Sequence, residues 1–128
     1  MEDRVRAIAL ADGRYSPEAF RFLFEGLERA IALAGRGDMK GQARHVTGQE
    51  VLVGLIDQAR SSFGPLSPQV WRAWGIQEAI DWGQVVFLMV DNGLLSRQDT
   101  DSIEDFRRDL DLDAEFTDGY QVDLPARL

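Results

Sequence analysis

Cysteine is absent from this 128-residue chain, and histidine and lysine occur once each, as His45 and Lys40. Without cysteine there is no disulfide framework, no thiol nucleophile and no thiolate zinc site, which fits a reducing compartment. With His45 as the only imidazole base, and no serine in a nucleophile-elbow setting, no Ser-His-acid arrangement can be assembled. Long apolar runs are also missing. The most apolar one, Val85 to Val90, lies between Asp81 and Asp91 and falls far short of the roughly 20 residues a membrane span needs. The opening M-E-D-R-V-R mixes acids with bases ahead of no apolar block, so it does not read as a signal peptide. A cytoplasmic, soluble protein without membrane contact is expected.

Positive charge is scarce as well. The formal net charge is −8, and the last 30 residues hold 10 acids against 3 bases. The body is nearly neutral and the final quarter is acidic. Phosphate backbones repel such a chain, because affinity for nucleic acid comes largely from Lys and Arg neutralising phosphates. No nucleic-acid partner is expected, and a helix-turn-helix binder is disfavoured on charge alone. What remains is an ordinary globular balance, 45% hydrophobic and 28% charged, in a length that suits one domain with one core.

The periodicity is helical almost throughout. Val5, Ile8 and Ala9 mark a first helix that stops at Asp12-Gly13. Ser16-Pro17-Glu18 reads as an N-cap, a proline at the first helical position and an acid in the first turn. Phe20, Leu23, Phe24, Leu27, Ile31 and Ala34 then recur at steps of three and four, with Phe22 and Leu33 beside them, which predicts a central helix ended by Gly35. Gly35 to Gly41 reads as a flexible linker; its glycines lack the spacing of a dinucleotide-binding loop.

The stretch R-H-V-T-G-Q-E-V, Arg44 to Val51, sets His45 beside a T-x-x-E pair. Thr47 and Glu50 have capping-box spacing, with Val46 and Val51 at the positions of a hydrophobic staple. A helix start is therefore expected here, and the alternative is an acid/base pair or metal site built from His45 and Glu50. The capped helix should run to about Ser62 and break at Gly64-Pro65. Ser67-Pro68 opens a short helix with Leu66, Val70, Trp71 and Trp74, closed by Gly75-Ile76. A further helix, Glu78 to Asn92, follows. Its V-V-F-L-M-V could pass for a strand, but its length and Gly93-Leu94 ending favour a helix, with Ile80, Gly83, Phe87 and Val90 as core face and Trp82, Val86 and Met89 as a second apolar face. That surplus is expected to be core in a monomer, with a homodimer interface as the alternative.

Ser102-Ile103-Glu104-Asp105 offers a cap for one more short helix, through Phe106 and Leu110 to about Phe116; residues 117–128 read as a flexible tail. Asp109, Asp111 and Asp113 have calcium-loop spacing, yet Ala114 replaces the turn glycine and Tyr120 the bidentate glutamate. Asp99 and Asp101 could share a divalent ion with Glu104 or Asp105, though carboxylates so dense more often cap helices and face solvent. No cofactor and no metal are expected.

R-Y-S-P-E-A-F (Arg14 to Phe20), R-H-V-T-G-Q-E (Arg44 to Glu50), F-G-P-L (Phe63 to Leu66), W-G-I (Trp74 to Ile76), G-L-L-S-R (Gly93 to Arg97) and D-S-I-E-D-F (Asp101 to Phe106) together make the chain resemble the Minf family of short hypothetical bacterial proteins, over residues 10–116. Asp81-Trp82-Gly83 departs from that family's Asp-Phe-Gly. The resemblance implies one bacterial domain and carries no activity with it.

The expected architecture is a single all-α domain of five or six short helices over residues 1–116 with an acidic C-terminal segment. The expected function is a protein-interaction module, meeting a basic protein partner through the acidic segment or another partner through an apolar helix face. The alternative is a metal-dependent or acid/base enzyme, with His45, Thr47, Glu50, Asp99, Asp101, Glu104 and Asp105 as the candidate functional surface.

Overall fold

A computed structural model describes residues 2–38, 45–96 and 102–121, with the side chains of residue 2 and of 117–121 left undescribed. The domain is all-helical, with no strand among these residues. Its elements are α1 (Glu2–Asp12), α2 (Pro17–Leu33), α3 (Gly48–Phe63), a 3-10 turn (Gly64–Leu66), α4 (Ser67–Ala73), α5 (Ala79–Asp91), a second 3-10 turn (Ile103–Phe106) and α6 (Leu112–Gln121). No helix among the described residues is long and apolar enough to cross a membrane.

Local chemistry sets the helix ends. Ser16 Oγ accepts the N–H of Glu18 at 3.2 Å, with Pro17 opening α2. At the far end, α2, α4 and α5 all close in the same way. The N–H groups of Arg36, Ile76 and Leu94 reach back to the carbonyls of Ile31, Trp71 and Met89 at 3.0, 2.9 and 2.9 Å, which is the long bond of a Schellman ending.

Antiparallel packing of α2 on α3 is the spine of the fold. It is close because the contact is made by small residues: a Cβ on Gly54 would lie 2.6 Å from both the Ala30 nitrogen and the Gly26 oxygen. To one side, Phe22, Phe63, Trp71, Trp74, Trp82 and Phe116 form an aromatic cluster, with the Trp71 and Trp82 rings 5.2 Å apart and crossed at 76°.

The structure corrects two side-chain assignments. Phe22, expected beside the α2 stripe, is buried, whereas Leu27 and Ile31 are only partly covered. In α5 the core is Trp82, Val85 and Met89 together with the expected Gly83, whereas Ile80, Phe87 and Val90, expected in the core, are half-buried, as is Val86 of the second face. The cause is Trp82, which turns toward Trp71 and Phe22, while Gly83 leaves room for Phe106.

The single helix expected from Ser102 to Phe116 is two elements. Arg107 leaves the 3-10 turn extended, at φ −79° and ψ 120°, and Asp111 Oδ1 accepts the N–H of Ala114 at 3.1 Å, starting α6 afresh. Two capping residues, Ser102 and Asp111, lie within ten residues of one another, and the chain uses both. Helix α6 also runs to Gln121, so the boundary expected at 117 falls inside it. The rest of that tail, and residues 39–41 of the Gly35 to Gly41 linker, lie outside the described residues.

Candidate functional site

Thr47 Oγ1 accepts the Glu50 N–H at 3.1 Å, and Glu50 Oε1 accepts the Thr47 N–H at 2.8 Å. Both halves of the capping box are present. Val46 and Val51 are buried beside it, as a staple requires. Just past the end of α2, the Arg36 guanidinium donates to the carbonyl of His45 at 2.7 Å and to Glu50 Oε1 at 3.2 Å. The backbone N–H of Thr47, with help from Arg36, holds the Glu50 carboxyl below its ordinary value. At neutral pH Glu50 is therefore a fixed anion that accepts hydrogen bonds at the helix entrance, where the dipole favours negative charge.

The second acidic group lies against this joint. Gln49 Nε2 donates to the carbonyl of Asp105 at 2.8 Å, and a Cβ on Gly48 would meet that oxygen at 2.8 Å. The N-terminus of α3 thus sits directly on the Ile103–Phe106 turn. The acids of the turn have local partners: Asp105 Oδ2 accepts the Ser102 N–H at 3.0 Å, Ser102 Oγ accepts the Glu104 N–H at 3.2 Å, and Glu104 receives Arg107 at 2.8 Å. Phe106 anchors the turn in the core against Gly83.

Among the sequence-derived candidates, then, His45, Thr47 and Glu50 form one joint, and Glu104 and Asp105 abut it through backbone and Gln49. Asp99 and Asp101 lie outside the described residues. No group of three or more metal-ligating side chains is found among those described. Asp111 and Asp113 face a helix N-terminus and Arg72 respectively, not a shared centre.

A second polar site escaped the sequence reading. Tyr15, buried in the α1–α2 connection, donates its hydroxyl to Asp81 Oδ1 at 2.7 Å. The other oxygen of Asp81 accepts the N–H groups of Gln77 and Glu78 at 2.9 and 2.8 Å. Burial, reinforced by that hydrogen bond and the Asp81 charge, pushes the Tyr15 hydroxyl well above its usual range, so it stays a protonated donor. This network ties the start of α2 to the start of α5. The R-Y-S-P motif contains its tyrosine, but nothing in local spacing pairs it with an acid 66 residues away.

No protein-family model, curated protein or solved structure matches the chain. The resemblance to the Minf family rests on the quoted motifs alone.

Proposed function

We propose that this domain is a protein-interaction module whose contact surface is the outer rim of the α2–α3 pair. One observation carries the reading. Leu33 and Val53 are 54% and 50% exposed, and helical spacing sets them opposite each other. On α2 the rim steps from Arg29 to Leu33, with Arg36 just past the helix end; on α3 it steps from Asp57 through Val53 to Glu50. Arg29 pairs with Asp57 on one side of the aliphatic pair, and Arg36 with Glu50 on the other. An apolar centre with charged flanks of both signs is the anatomy of a contact patch. Two antiparallel helices suit an amphipathic helix of another protein, laid along them with an aliphatic anchor over Leu33 and Val53.

Glu50, Glu104 and Asp105 each hold a backbone cap or an arginine, which counts against the alternative of an acid/base enzyme. A general base needs its lone pair directed at a substrate proton.

The test is hydrogen exchange with a co-purifying partner on wild type, Leu33→Glu and Val53→Glu chains. Both residues are exposed, so the fold should persist. Protection over residues 29–36 and 50–57, lost in both variants, supports the proposal. Protection over 102–116 that fades with salt would move the contact to the acidic segment and a basic partner. Protection at neither place would overturn the interaction reading.

A further inference from the structure

Helix α6 is held as a bound peptide is held. Its main neighbours are α4 and the Gly64–Leu66 turn, and the residues leading into it, Arg107 to Asp109, are exposed. Among its described side chains two point inward, Leu112 and Phe116. Phe116 meets Trp71 edge to face at 5.4 Å, and the Arg60 guanidinium lies 5.9 Å from the centre of its ring. Arg60 also donates to the carbonyl of Glu115 at 2.8 Å. Arg72 grips Asp113 with two parallel bonds of 3.1 and 3.0 Å, the fork geometry that selects a carboxylate. Those bonds hold the Asp113 carboxyl below its usual range, so it stays charged.

We propose that the surface made by Trp71, Arg60 and Arg72 is a receptor groove for acidic amphipathic helices of the pattern Leu-Asp-x-Glu-Phe, filled in cis by α6 and open to the same pattern on another protein. The parts divide the work of recognition. Trp71 and the neighbouring aromatic cluster take the aromatic residue, Arg72 reads Asp113, Arg60 stands 3.8 Å from the Glu115 carboxylate, and the spacing from Leu112 to Phe116 fixes a helical ligand. Tethering gives α6 a high effective concentration, so an outside helix competes only when the cis helix is weakened or outnumbered. This surface is separate from the α2–α3 rim and stands or falls independently of it.

The test uses the full chain and a fluorescein-labelled synthetic peptide of residues 109–121. In wild type the cis helix should hold the peptide off. In full-length Asp113→Arg, which changes a side chain 68% exposed and leaves the core intact, and in Phe116→Ala, the peptide should bind at least about tenfold more tightly than to wild type, in proportion to the vacated fraction. Binding should weaken with salt and vanish for a peptide carrying Phe116→Ala. Equal affinity for wild type and Asp113→Arg, or no binding to either variant, would overturn the proposal.

Discussion

Replacing Gly54 by alanine sets two effects of opposite sign against each other. Gly54 lies inside α3, where alanine is intrinsically better by about 1 kcal/mol. Its Cβ, however, would stand 2.6 Å from the Ala30 nitrogen, the Gly26 oxygen and the Ala30 Cβ, and the first two are backbone atoms of α2 that no side-chain rotation can move. Ordinary contact begins near 3.4 Å, so α2 and α3 must part by several tenths of an ångström. A radial gap of 0.5–1 Å forfeits roughly a quarter to a half of each dispersion contact along the interface. Overpacking of this kind costs about 1–3 kcal/mol, occasionally more. The steric effect should win, leaving Gly54→Ala less stable by about 1–2 kcal/mol in urea unfolding followed by tryptophan fluorescence. Stabilisation by the intrinsic helix preference would show that the helices are not in backbone contact here, and the spine of the fold would be misdrawn.

At the α3 entrance, Thr47→Ala should cost about 1 kcal/mol by removing the acceptor for the Glu50 N–H, and His45→Ala less, when both are compared by urea midpoint; the reverse order would favour a functional His45. Tyr15→Phe should cost about 1 kcal/mol, because Asp81 keeps its two backbone donors, and a neutral result would mean that the hydrogen bond exchanges freely with water. Acidification should destabilise the domain. Glu50 is held below 4.5 by the Thr47 N–H and Arg36, and Asp12 below 3.8 by Arg14. Folded-state values below the unfolded ones give stability that is complete above the unfolded values and is lost as pH falls through the folded ones. The urea midpoint should therefore drop below about pH 4.5, and a midpoint flat to pH 3 would contradict these assignments.

The local features of this chain were legible because local chemistry decides them. Ser16-Pro17, the Thr47/Glu50 box and the glycine endings each bring together residues within five positions, and all formed as spacing predicts. The failures share a different cause. Which face of α5 turns inward depends on Trp71 and Phe22, residues supplied by other helices, so periodicity alone offered two apolar faces and no means of choosing. The break after Phe106 was hidden because Ser102 and Asp111 both qualify as capping residues in a segment with enough apolar residues for one helix. Tyr15 with Asp81, and Arg72 with Asp113, are pairs that only the tertiary fold creates. The exposure of Leu33 and Val53 was not legible for a related reason: exposure is a property of neighbours.

The most direct measurement is an NMR titration of the Glu50 side-chain carboxyl in the intact domain, repeated with added zinc, magnesium and manganese. A carboxylate that caps a helix and pairs with Arg36 should titrate below 4.5 and ignore the metals. A midpoint above that value, or a resonance at Glu50 and His45 shifted together by a metal ion, would mean that the entrance of α3 is a chemical site and not a structural joint.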